Sequence, residues 1–120
     1  MNSGAALCGR RILIVEDEYL IACEIADALV EAGAFVVGPV ARIDDALKLL
    51  ETGSPLDGAV LDIHLQGDTS FPLADALAAQ GVPVVFATGY GSEGIPERYR
   101  EIRRCEKPVD AATVMRVLFG

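Results

Sequence analysis

Short apolar runs alternate along this chain with longer stretches in which apolar residues return every three or four positions. The runs Ile12-Leu13-Ile14-Val15, Ala59-Val60-Leu61 and Val84-Val85-Phe86-Ala87 hold no polar residue, the pattern of strands covered on both faces. The stretch from Glu18 to Ala32 behaves differently. It sets Leu20, Ile21, Ile25, Ala28, Leu29 and Ala32 on one stripe and stops at Gly33, as an amphipathic helix does. At 1.5 Å per residue that helix is roughly 22 Å long, close to the roughly 17 to 20 Å of a five- or six-residue strand, so it can run back along the sheet.

The same reading carries through the chain. A strand over 11–15 precedes the 18–32 helix. A second strand over 34–38 ends at Pro39, and a helix over 43–50 carries Asp44 and Asp45 in its first turn and is closed by Gly53 and Pro55. A third strand over 57–62 leads to a loop containing Gly67 and Asp68, then to a helix over 72–80 with Pro72 in its first turn. After a fourth strand over 82–88, Gly89, Gly91, Gly94 and Pro96 interrupt residues 89–101. That segment is expected to be a loop with at most a short or irregular fourth helix around 96–100. A fifth strand over 102–106 passes through Lys107-Pro108 to a helix over 110–119. Five strands alternating with helices predict an α/β fold, a parallel sheet in a three-layer sandwich with right-handed crossovers. Residues 1–9 show no period and are expected to form a flexible arm ahead of a single domain over 10–120.

Composition narrows the function. The formal net charge is −8 over 120 residues, which opposes contact with nucleic-acid phosphates, since that contact draws on clustered Lys and Arg. No apolar run approaches the roughly 18 residues of a membrane span. Cys8, Cys23 and Cys105 have no CxxC spacing, and the chain shows no signal-peptide pattern, so they read as reduced thiols in a cytoplasmic protein. Core filling accounts for Cys23 and Cys105.

Chemistry gathers at the strand ends. The first strand delivers Glu16 and Asp17, the third Asp62, the fourth Thr88 and the fifth Lys107. In an open α/β sheet the functional crevice lies outside the carboxyl ends, where strand order reverses. For the order 2-1-3-4-5 that point falls between strands one and three. Asp17 and Asp62 would then face each other with Glu16 beside them, and carboxylates so crowded call for a hard divalent cation, with Mg2+ the leading candidate. A cation, an ammonium and a hydroxyl around one small anion suit a transferring phosphoryl group. Taken singly, each residue has a plainer reading. Asp17 and Glu18 could cap a helix, Asp62 could accept from a turn amide, and Lys107 could be a solvated lysine at a strand end.

The segments "ILIVEDE", "AVLDIHL", "FATGY" and "EKP" together resemble the receiver domain of two-component response regulators, over about residues 10–119. The resemblance implies a flavodoxin-like (βα)5 fold with sheet order 2-1-3-4-5. It implies that Asp62 accepts a phosphoryl group from a histidine kinase or histidine phosphotransfer protein. The Mg2+ ligands would be Asp17, Asp62 and the backbone carbonyl of His64, with Glu16 acting through water, while Thr88 and Lys107 would contact the phosphoryl oxygens. Such a domain is a self-modifying switch more than an enzyme with turnover, and with no residues left for an output domain its signal is expected to leave by protein contact or onward phosphotransfer.

One departure stands out. Receivers commonly carry Tyr or Phe three residues before the lysine, and Arg104 occupies that place; Phe86-Ala87-Thr88-Gly89-Tyr90 instead resembles the FATGUY group of receivers, many of them single-domain. His64 and Tyr90 resemble the positions that line the approach of hydrolytic water. Tyr19 and Tyr99 read as surface or rim residues. Other readings are a receiver fragment of a larger protein such as a hybrid histidine kinase, a Mg2+-dependent phosphatase with an aspartyl-phosphate intermediate, and a pseudo-receiver that binds without phosphorylation. The phosphatase class pairs its nucleophile with an acid two residues on, where this chain has His64, and a pseudo-receiver need not keep the carboxylates, hydroxyl and lysine together.

Overall fold

The structure, a computed structural model, describes residues 7–53, 55–65, 68–88, 99 and 102–120. Its centre is a five-stranded parallel sheet built from β1 (Arg11–Val15), β2 (Phe35–Val40), β3 (Gly58–Asp62), β6 (Val84–Thr88) and β7 (Arg103–Glu106), in the order β2-β1-β3-β6-β7. Counting these strands alone gives 2-1-3-4-5, the flavodoxin-like order. Among the described residues four helices accompany it: α1 (Tyr19–Glu31), α2 (Ile43–Glu51), α3 (Phe71–Ala79) and α4 (Ala111–Phe119). Apart from Tyr99, the expected short or irregular helix around 96–100 lies outside the described residues.

Alternation along the strands sorts the core into two layers. Leu13, Val15, Leu61 and Phe86 pack with Ala46 and Leu50 of α2 and Leu73 and Leu77 of α3 on one face. Ile12, Ile14, Val60 and Val85 pack with Ile25 and Leu29 of α1 and Val114 of α4 on the other. The C-terminal helix sits close, for a Cβ placed on Gly58 would lie 2.7 Å from Leu118 Cδ1.

Three local features differ from expectation. Strand β2 does not end before Pro39 but runs to Val40, its register against β1 breaking between Leu13 and Val15. Gly38 makes this possible, with φ at +96° and so little room that a Cβ there would meet Val40 N at 2.7 Å and Ile14 O at 3.1 Å. The proline is tolerated because β2 is an edge strand. The loop after β3 contains a small antiparallel hairpin, β4 (His64–Leu65) with β5 (Asp68–Thr69). Lastly, Leu7, which falls within the expected arm over 1–9, packs in the core. Leu7 is 0% exposed among Ile12, Leu29 and Ala32, and its N–H donates to Ala32 O at 2.8 Å.

Candidate phosphoryl-accepting site

The carboxyl ends of β1, β3 and β6 and the turn after β7 converge on one acidic centre. Register explains the meeting: β3 pairs with β1 and β6, setting Val15 beside Leu61 and Asp62 beside Ala87. Each strand therefore ends within a residue or two of its neighbour, and Glu16, Asp17, Asp62 and Thr88 emerge together. Carboxylate oxygens from Glu16, Asp17 and Asp62 lie within 4.8 Å of one another. The backbone closes the fourth side, where Lys107 N donates to Thr88 O at 2.9 Å.

Lys107 spans the carboxylates. Its Nζ lies 2.7 Å from Glu16 Oε1 and donates to Asp62 Oδ2 at 3.2 Å. Glu16 is 3% exposed, and its other oxygen accepts from Glu18 N at 3.2 Å. Burial raises the Glu16 carboxyl to a pKa of about 7; the Lys107 ammonium pulls the other way, and Asp62 pushes it further up. For Lys107 burial works against the charge, yet the Glu16 and Asp62 carboxylates outweigh it and the ammonium titrates above its usual range. Burial thus outweighs the pull of the single ammonium, and with Asp62 adding to it Glu16 holds a proton to near neutrality.

The donor set fits a hard divalent cation, because three carboxylates at this spacing offer oxygen ligands and leave charge to be compensated. The plainer reading of Glu18 as a helix cap is not what its side chain does. Glu18 occupies the N-cap of α1 without a side-chain cap bond, and it is Glu16 that accepts from its N–H. Thr88 is 9% exposed. His64 is exposed on β4, and its residue pairs with Thr69 across the hairpin. Tyr90 lies outside the described residues. Arg104 is exposed on β7 beside Phe86.

Two features here were not foreseen from the sequence. Lys107 sits nearer Glu16 than Asp62, a side-chain reach that strand-end residues alone do not specify. A cavity of about 180 Å³ also opens beside the acidic centre, walled by Ala22 and Cys23 of α1 and by Pro39 and Ala41, with Glu16 and Asp17 at its acidic side. Pro39, one of its walls, lies within β2. Tyr99, read as a rim residue, is instead 9% exposed in the core. Cys105 is buried as expected, Cys23 half-buried and Cys8 exposed. No described helix is long and apolar enough to cross a membrane.

No family model matches the chain. Among solved structures it is similar to SdrG from Sphingomonas melonis Fr1, with 40% identity, 94% of each chain covered and a TM-score of 0.79. The BeF3-activated conformation of SdrG is also similar, at 38% identity, 98% and 96% coverage and a TM-score of 0.76. The receiver domain from the hybrid histidine kinase CckA matches at 26% identity over 88% of this chain and 93% of that one, with a TM-score of 0.70. Among curated proteins, the transcriptional regulatory protein PdtaR of Mycobacterium tuberculosis is 31% identical over 93 residues. That match takes in 77% of this chain and 45% of PdtaR, so the chain spans about half the length of this relative.

Proposed function

Because the chain belongs to the receiver domains of two-component response regulators, we propose that Asp62 is its phosphoacceptor and that residues 10–120 work as a phosphorylation switch. The observation that carries this reading is the bridge of Lys107 between Asp62 and Glu16, with Asp17 completing a carboxylate cluster at the end of the sheet. An acceptor carboxylate needs an accessible oxygen, and the Asp62 side chain retains 15% exposure. In the reaction the phosphorus–nitrogen bond of a donor phosphohistidine breaks as a bond forms from phosphorus to an Asp62 oxygen.

The residues hold separate parts of that transfer. Lys107 orients the Asp62 carboxylate beforehand and meets the phosphoryl oxygens afterwards as a point charge. Thr88 supplies a hydroxyl from the end of β6. Asp17, Asp62 and the His64 carbonyl would hold Mg2+, with Glu16 acting through water. Bound there, the ion neutralises charge that builds on the phosphoryl oxygens during transfer. The donor is a histidine kinase or a histidine phosphotransfer protein, and the signal leaves by protein contact or onward phosphotransfer in the cytoplasm. The net charge of −8 supports contact with proteins over direct contact with nucleic acid. That PdtaR is a longer regulatory protein supports a second arrangement, in which this domain is one part of a larger chain.

Incubation with acetyl phosphate and Mg2+ tests the assignment. Intact mass should rise by one phosphoryl group, EDTA should prevent the gain, and Asp62→Asn should abolish it. Labelling that persists unchanged in Asp62→Asn overturns the reading.

A further inference from the structure

The cavity of about 180 Å³ lies to one side of the acidic centre, between the first two turns of α1 and the end of β2. Tyr19, Ala22 and Cys23 wall it on the helix side, Pro39 and Ala41 on the strand side. An apolar cavity of roughly 150 Å³ accommodates a benzene molecule, so this one has room for a single ring. Of the residues that line it only Glu16 and Asp17 are charged, and both are acidic.

The lining decides what an occupant must be. A neutral apolar molecule would leave carboxyl groups against hydrocarbon, which costs free energy. A second metal ion would find no further oxygen ligands on the side chains of Ala22, Cys23, Pro39 and Ala41. An organic cation suits both sides, since its apolar body covers the walls while its charged end meets Asp17, and a few placed polar groups in an apolar pocket fix orientation in this way. Tyr19, 78% exposed at the mouth, adds an aromatic ring of the kind to which cations are drawn. Lys107 does not fill this role, because its ammonium lies against Glu16 and Asp62.

The cavity also shares residues with the carboxylate cluster. Glu16 and Asp17 line the one and belong to the other. Two cations drawn to the same carboxylate repel each other and divide its charge between them. Binding at one place therefore weakens binding at the other, and by the same factor in both directions.

We infer that the cavity binds a small organic cation, an amine or amidine on an apolar body of one ring, and that its occupation opposes Mg2+ at Asp17 and Asp62. Such a ligand holds the switch off by keeping the metal from the acceptor. That last consequence rests on the phosphoacceptor reading of Asp62; the binding site does not.

Benzylamine serves as the probe and benzyl alcohol as its uncharged counterpart, each titrated into the whole chain in metal-free buffer and followed by NMR. Benzylamine should shift the amides of Asp17, Tyr19, Cys23 and Ala41 saturably and bind about tenfold more tightly than the alcohol, the ratio that a hydrogen bond to a charged group gives. Saturating Mg2+ should weaken benzylamine about tenfold, and benzylamine should weaken Mg2+ equally. Benzylamine should also slow alkylation of half-buried Cys23 by iodoacetamide and leave exposed Cys8 unaffected, as mass spectrometry of the two peptides would show. Cys23→Phe fills the cavity from a half-buried position and should abolish benzylamine binding while Mg2+ still binds. No saturable binding of benzylamine, equal affinity for the two probes, or undiminished affinity in Cys23→Phe overturns the site. Benzylamine and Mg2+ that bind independently overturn the antagonism. If acetyl phosphate labels Asp62→Asn as it does the wild-type chain, the phosphoacceptor reading falls and the control of the switch with it, while the benzylamine titration still decides the site.

Discussion

Lys107 Nζ stands nearer to Glu16, at 2.7 Å, than to Asp62, at 3.2 Å. The ammonium is therefore anchored by a residue outside the transfer itself, and it keeps that anchor when the charge on Asp62 changes. Glu16 is the more buried carboxylate, so its side of the bridge is less screened by solvent.

This arrangement predicts the response to losing the ammonium. Lys107→Ala should lower stability by about 2 kcal/mol at pH 8, since it strips the partner from a buried carboxylate at a site still partly open to water. Millimolar Mg2+ should restore much of the loss, because a cation replaces the missing positive charge. Thermal melts with Mg2+ and with EDTA check both; equal loss in the two conditions would count against a cation site.

Glu16 also gives the fold a pH dependence of known sign. Its carboxyl titrates near 4.5 when unfolded and about 7 when folded. Between those values the folded state keeps a proton that the unfolded state has released, so stability falls as pH rises through this window and the penalty is then constant. Glu16→Gln removes that term. In EDTA, the stability of the variant relative to wild type should be more favourable at pH 8 than at pH 5, as read from urea denaturation at each pH.

Ser70 offers a stabilising change. It is 0% exposed, its Oγ has no hydrogen-bond partner among the described residues, and it stands at the N-cap of α3 without a side-chain cap bond. A buried hydroxyl left unpaired costs roughly 1–3 kcal/mol. Ser70→Ala keeps the backbone bonds to Ile63 and Ala74 and should raise the thermal midpoint by a few degrees, as calorimetry would show.

Gly38 should tolerate no side chain. Ala at φ +96° places Cβ 2.7 Å from Val40 N, and backbone forced through such a region costs about 1–3 kcal/mol. Gly38→Ala should shift the urea midpoint downward with its slope unchanged.

How far the sequence could be read depended on whether a feature had a period. Helix α1 and strands β1, β3 and β6 repeat apolar residues often enough to be placed within a residue or two, and the strand-end positions of Asp17, Asp62 and Thr88 follow from them. The β4–β5 hairpin has two residues per strand, too few to show alternation. The passage of β2 through Pro39 rests on one glycine with positive φ, which composition does not reveal. Tyr99 read as a surface or rim residue because a tyrosine is amphipathic, with an apolar ring and a polar tip. Its burial comes from Phe71 and Asp75, both more than twenty positions earlier, and no local pattern reports a partner so far away. The closeness of Lys107 to Glu16 was hidden for the same reason.

The buried Leu7 changes where this folding unit begins. By strand count the edge is Arg10 or Arg11, and a shortened version started there would still encode every strand and helix. It would also leave a leucine-sized hole beside Ile12, Leu29 and Ala32, and emptying such a site typically costs about 2–5 kcal/mol. Anyone trimming or grafting this domain should keep Leu7, a stopper in the floor of the sheet that belongs to no strand at all.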